Sequence, residues 1–246
     1  MLNSKKNKMQ STNFTIIGLP RSGTTLLCNL FNSMSNCVCL SEPLWEFILK
    51  TTNRGVGGID SLGKLGDCPQ ISTYDEVLPT IKKLFSESNL ELLGIKETFR
   101  HWEPQCVHSI LTNFGSDINI FILRNPLVNF SGWKNSNWRN QYSDIRYFVE
   151  SYMKLLDLVT VSSQRQPTLV IKYEKLTENG VDYLREKCKN LLDVPKNLNL
   201  IKNQPGLGDE KAKESTQIES ARMNYENLSQ NEIEICNKLL TYYKSI

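Results

Sequence analysis

The residues best suited to chemistry begin with the stretch GLPRSGTT, residues 18–25. Gly18 and Gly23 follow a short apolar run, and glycines at this spacing let the backbone turn tightly with its amides aimed at an anion. A helix beginning after Gly23 adds the positive end of its dipole and unpaired N–H groups. Ser22, Thr24 and Thr25 carry hydroxyls, and Arg21 carries a charge. A nucleotide-hydrolysing loop needs a lysine directly after the second glycine to reach the terminal phosphates. Thr24 stands in that place. The loop is therefore a phosphate cradle without kinase-type charge placement.

Four further residues complete a candidate constellation. Arg124 directly follows the apolar run INIFIL, where a guanidinium can pair bidentately with a phosphate. Asn125-Pro126 then turns the chain, and Ser131 stands where the next helix could begin and could donate a hydroxyl to the same anion. Glu42 follows the run CVCLS, and Lys96 ends ELLGIK. Ligands of open α/β sheets gather beyond the carboxyl ends of strands, and the glycine loop, Glu42, Lys96 and Arg124 all fall there.

Those residues need a scaffold of alternating strands and helices. Phe14–Gly18, Cys37–Leu40, Glu91–Ile95, Ile118–Leu123 and Thr168–Lys172 read as strands, short and without strict alternation, as strands covered on both faces should be. Between them lie helical stripes: Leu27, Leu30, Phe31 and Met34; Val77, Ile81, Leu84 and Phe85; and Val107, Ile110, Leu111 and Phe114 after Pro104. A longer stripe runs from Ile145 to Val159, and Ser229 with Glu232 forms a capping-box pattern before the last helix. The pattern predicts an α/β, P-loop NTPase-like three-layer fold, with a central parallel sheet flanked by helices. Residues 1–12 read as a flexible tail and 13–246 as one domain. The glycine-rich stretch Thr51–Gln70 and the polar stretch Lys202–Ser215 read as long loops, of the kind that serve as lids or binding loops.

Bulk properties narrow the function classes. A net charge of +3 over 246 residues suits a small anionic ligand and does not mark a nucleic-acid binder. No run approaches a membrane span or a signal peptide, so a cytoplasmic protein is expected. Seven cysteines without a CxxC pair, and two histidines not spaced with them, point to reduced, buried thiols and no metal.

PRSGTTLL resembles the 5′-phosphosulfate loop of sulfotransferases that use 3′-phosphoadenosine 5′-phosphosulfate, PAPS. The resemblance implies a P-loop-like fold and sulfuryl transfer to an acceptor hydroxyl or amine, without a required metal. It assigns Arg21, Ser22, Gly23, Thr24 and Thr25 to the 5′-phosphosulfate. IFILRNPLVNFS resembles the family's 3′-phosphate motif and assigns Arg124 and Ser131 there. Ser131 arrives one position earlier than the family's serine, whose place Gly132 takes. SEPLWEF looks like a stretch of carbohydrate sulfotransferases, and tyrosylprotein-type relatives have a catalytic glutamate in that region. The resemblance makes Glu42 the base, with Lys96 and Arg21 stabilising charge at the leaving group. Cytosolic sulfotransferases carry a catalytic histidine where Thr98 stands, so Glu97 and His101 remain reserve bases. Lys211 or Lys213 is assigned to a nucleotide-covering loop. The motifs cover residues 14–174.

The expected acceptor is a small molecule or glycan. Trp133 and Trp138, beside Lys134 and Arg139, could stack on a sugar and attract an acidic acceptor, or could simply pack against the sheet. Two other readings stay open on the same fold: a magnesium-dependent kinase or NTPase, and a nucleotide-binding module without catalysis.

Overall fold

The computed structural model describes residues 11–49, 65, 71–101, 104–136, 144–200, 218 and 224–246. Five strands form its sheet: β1 (Thr12–Gly18), β2 (Cys37–Ser41), β3 (Leu92–Thr98), β4 (Ile118–Leu123) and β5 (Thr168–Lys172). They pair in the order β2-β3-β1-β4-β5, and every pairing is parallel. The expected strands are all present. β1 starts earlier than expected, at Thr12, which pairs with Leu92. β3 runs on to Thr98, so Lys96 lies inside the strand and not after it.

The helices are α1 (Thr24–Asn32), α2 (Pro43–Leu49), α3 (Tyr74–Glu87), α4 (Gln105–Ser109), α5 (Pro126–Lys134), α6 (Ile145–Arg165), α7 (Tyr173–Cys188) and α8 (Gln230–Ser245). α4 widens into a π turn over Ile110–Phe114. The Ser229–Glu232 capping box closes the start of α8 as its sequence implies. Met34 lies just beyond α1, yet it is buried with the rest of its stripe.

Two apolar clusters cover the two faces of the sheet. Phe14, Ile16, Ile120 and Ile122 face α1 and α7 through Leu27, Phe31, Leu176 and Leu184. Ile17, Val38, Ile95 and Phe121 face the other layer through Val77, Val107, Phe148 and Leu239. Successive strand residues point to opposite faces, and both faces are buried, so the strands are mostly apolar, with buried exceptions such as Thr15, Lys96, Glu97 and Asn119. The result is a central parallel sheet between helical layers, the expected fold class.

The connections after β1 and β4 leave the sheet in opposite directions, towards β2 and β5 respectively. Neighbouring strands whose connections diverge open a crevice at their carboxyl ends. The glycine loop and Arg124 sit at that crevice. The stretch Thr51–Gln70, apart from Leu65, and the stretch Lys202–Ser215 with Lys211 and Lys213 lie outside the described residues. Six cysteines are buried thiols, and Cys68 lies outside the described residues. Among the described residues, no helix is long and apolar enough to cross a membrane.

Candidate active site

The glycine loop is built so that its carbonyls are taken. Gly18 O accepts from Phe99 N at 2.8 Å, and Leu19 O accepts from Ser22 N at 3.1 Å. Pro20 O accepts from Asn129 Nδ2 at 2.8 Å, and Arg21 O accepts from Arg124 Nη1 at 2.8 Å. A carbonyl oxygen repels an anion, so engaging four in succession removes the main electrostatic objection to binding one. Gly23 caps α1 with φ 100°, a left-handed conformation that glycine adopts without strain. A Cβ there would lie 2.2 Å from Tyr173 Cδ2, so only glycine lets the tyrosine ring pack against the loop. Thr24 and Thr25 occupy the first turn of α1, both buried. Ser22 is also buried, and its Oγ has no hydrogen-bond partner among the described residues. A buried, unpartnered hydroxyl inside such a loop is what a bound oxyanion would satisfy.

Arg124 closes the loop from the neighbouring strand. Its guanidinium lies 4.3 Å from the centre of the Tyr173 ring while it donates to Arg21 O. Its own carbonyl accepts from Tyr152 Oη at 3.2 Å. Glu174, at the start of α7, accepts from Asn125 N at 3.0 Å and from Tyr243 Oη at 2.6 Å. That carboxylate ties the start of α5 to the end of α8.

Ser131 differs from its expected placement. It lies within α5 instead of opening a helix, because Asn125 caps that helix and Pro126 begins it. Its hydroxyl donates to Asn227 Oδ1 at 2.7 Å. Gly132 faces the loop instead, where a Cβ would lie 3.4 Å from Arg21 Cβ.

Glu42 and Lys96 meet directly. Lys96 Nζ donates to Glu42 Oε1 at 2.7 Å, and Glu42 N donates to Lys96 O at 2.6 Å. Lys96 is 0% exposed and Glu42 5%. Arg100 adds a second cation, with Nη2 3.8 Å from Glu42 Oε2 and the guanidinium 4.6 Å from the centre of the Trp45 ring. Burial alone would raise the Glu42 carboxyl, but the Lys96 and Arg100 charges and the hydrogen bond from Lys96 bring it below the usual carboxylate range. Glu42 is thus ionised at neutral pH. Among the described residues, only two non-glycine residues have positive φ: Arg21 at 65° and Glu42 at 55°. Each such conformation costs about 1–3 kcal/mol, and such residues concentrate at functional sites.

The reserve bases have different surroundings. Glu97 Oε1 accepts from Leu44 N at 2.7 Å and Trp45 N at 3.3 Å, holding the first turn of α2. Burial, reinforced by the Glu42 charge, pushes Glu97 up to about 8. His101 is engaged by α6, with Nδ1 2.8 Å from Ser151 Oγ and Nε2 3.1 Å from Glu150 Oε2. Trp133 is core, packed edge-on against Phe148, and Lys134 pairs with Glu232. Trp138 and Arg139 lie outside the described residues.

Sequence reading missed Arg100, Asn129, Tyr173, Glu174 and Asn227. Tyr173 and Glu174 directly follow β5, so their strand-end position was a usable signal. Asn129 and Asn227 carried none, since a helix and a distant segment deliver them.

The fold is similar to that of a solved sulfotransferase domain. The sulfotransferase domain of the olefin synthase of Synechococcus PCC 7002 superposes with a TM-score of 0.59 at 17% identity, over 96% of this chain and 97% of that one. Mouse sulfotransferase SULT7A1 complexed with PAP matches at 0.43 and 15% identity, over 76% of this chain and 60% of that one. Shikimate kinase from Bacteroides thetaiotaomicron also matches at 0.43, with 11% identity, over 72% of this chain and 98% of that one. Identities this low speak to fold alone. No family model and no curated protein matches the chain.

Proposed function

We propose that the protein is a PAPS-dependent sulfotransferase acting on an acceptor hydroxyl, with a carbohydrate or glycoconjugate the favoured acceptor. The observation that carries this reading is an anion cradle lacking its own lysine, beside a buried Lys96–Glu42 pair. Just past β3, the strand that bears Lys96, Phe99 N donates to the carbonyl of Gly18, the first glycine of the loop. A kinase-type loop brings its lysine from the loop itself; in this reading the lysine comes from β3. The olefin synthase domain supports the reading at the level of fold.

In this reading Arg21, Ser22, Gly23, Thr24 and Thr25 hold the 5′-phosphosulfate, and Arg124 holds the 3′-phosphate. Ser131 joins it only by leaving Asn227. Glu42 takes the acceptor hydroxyl proton as the acceptor oxygen bonds to sulfur. The bond between sulfur and the bridging phosphate oxygen breaks, and the bisphosphate leaves with the electron pair. Lys96 and Arg21 stabilise the charge growing there. Because Glu42 is ionised, it is ready to accept a proton.

The test is calorimetric titration with adenosine 3′,5′-bisphosphate, without magnesium and with ATP as control. The expected result is bisphosphate binding that Arg124→Ala abolishes. No bisphosphate binding, or stronger magnesium-dependent ATP binding, would overturn the reading.

A further inference from the structure

Glu42 presents two oxygens to two cations, and the two contacts are unequal. Oε1 takes a hydrogen bond of 2.7 Å from Lys96, while Oε2 faces Arg100 at 3.8 Å, beyond hydrogen-bond length. The proposed reaction makes conflicting demands on Lys96. An ammonium shared between Glu42 and the leaving oxygen of the donor divides its charge between them. When it turns to the donor, a buried carboxylate would lose its main partner. Such a carboxylate takes up a proton and ceases to be a base.

Arg100 is placed to prevent this. It is buried, its guanidinium lies over the Trp45 ring, and Nη1 reaches Thr98 O at 3.5 Å. The ring and the strand end hold it beside Glu42 without help from Lys96. Trp45 is itself fixed, since its amide donates to Glu97 Oε1 at 3.3 Å. Resting on the sulfotransferase reading, we propose that Arg100 is a positioning residue: it holds Glu42 charged and oriented while Lys96 serves the donor. The hydrogen bond that Arg100 does not make in this structure forms when Lys96 leaves.

The other ionisable groups around Glu42 do not substitute for it. Glu97, next to Lys96 on β3, is a second carboxyl and opposes the Glu42 charge. Cys28 on α1 senses both Glu42 and Lys96, and Cys39 on β2 senses Lys96, but neither is a cation. Tyr74 on α3, whose hydroxyl donates to Ser109 Oγ, bears no positive charge.

The experiment follows the Glu42 carboxylate directly and needs no acceptor. Its infrared band is assigned by difference against Glu42→Gln and titrated with and without adenosine 3′,5′-bisphosphate. In the wild type the protonation midpoint stays low in both states. In Arg100→Met the bisphosphate raises it by about one pH unit or more, as expected when a buried carboxylate loses an opposite charge. Without the bisphosphate the rise is smaller, because Lys96 still holds Oε1. Arg100→Lys keeps a charge but loses the planar fork, and gives an intermediate rise; it serves if the methionine variant does not fold. Equal midpoints in the variant with and without bound bisphosphate would overturn the role of Arg100 alone. Failure of the wild type to bind the bisphosphate would overturn the sulfotransferase reading, and this inference with it.

Discussion

Lys96 and Glu42 are joined twice, once through side chains at 2.7 Å and once through backbone atoms at 2.6 Å. The backbone bond continues the β2–β3 pairing one step past Ser41, where the pairing partner is Lys96. The chain then enters a left-handed conformation at Glu42 before α2 begins. The sheet itself thus delivers the carboxylate to the ammonium.

Removing one partner of this pair should cost stability as well as activity. Lys96→Met leaves the buried carboxylate with Arg100 alone, so the loss should stay below the roughly 3–5 kcal/mol of a fully stranded charge. The double variant Lys96→Met with Glu42→Gln should recover most of that loss in urea unfolding, because neither change then strands a charge. Equal losses in the single and double variants would contradict a buried ion pair.

Turnover should separate from donor binding at Lys96. A cation that acts on charge developing in the transition state is worth about 10²–10³ in kcat. Lys96→Ala should lower kcat on that scale with a far smaller effect on bisphosphate affinity in calorimetry. Parallel losses in both would remove the transition-state role.

Arg124 and Ser131 should not be equivalent. Arg124→Ala removes a guanidinium that also braces the loop through Arg21 O, so bisphosphate binding should be lost. Ser131→Ala removes a hydroxyl engaged by Asn227, so affinity should fall less than about tenfold. The same titration measures both, and a larger loss at Ser131 would show that Asn227 yields its place to the anion.

Gly23→Ala should abolish anion binding. The new methyl would meet the Tyr173 ring, and φ 100° is unfavourable for alanine. Bisphosphate titration of the variant, with circular dichroism to verify the fold, is the check; retained affinity would show that the loop tolerates displacement of Tyr173.

Glu97 predicts a pH dependence of stability. Its folded-state pKa of about 8 lies above the unfolded value of about 4.3. Between those values the folded protein holds a proton that the unfolded chain releases. Stability from this group is therefore full below about pH 4 and declines as pH rises towards 8. Glu42, shifted downward, works oppositely, and its contribution is lost only as pH falls below the normal carboxylate range. Glu97→Gln keeps an acceptor for the Leu44 and Trp45 amides and removes the titration. Urea midpoints from pH 5 to pH 8 should fall more steeply for the wild type than for the variant. Parallel slopes would show that Glu97 is ionised throughout.

Much of this architecture is determined by the sequence alone. Short apolar strands, the spacing of Gly18 and Gly23, and the Ser229 capping box each act through nearest neighbours in the chain, where periodicity and backbone preference decide the outcome. So the α/β class, the loop-to-helix turn, and the strand-end positions of Glu42 and Arg124 could be read from local pattern. Only the tertiary structure decided which side chains meet. The pairing of β2 with β3 brings Glu42 to Lys96, 54 residues apart. The packing of α5 presents Gly132 to the loop and turns Ser131 to Asn227, 96 residues away. Arg100 reaches Glu42 because the exit of β3 runs beside Trp45. A local pattern carries backbone conformation, whereas the charge state of a buried carboxylate depends on which distant cations the folded layers press against it.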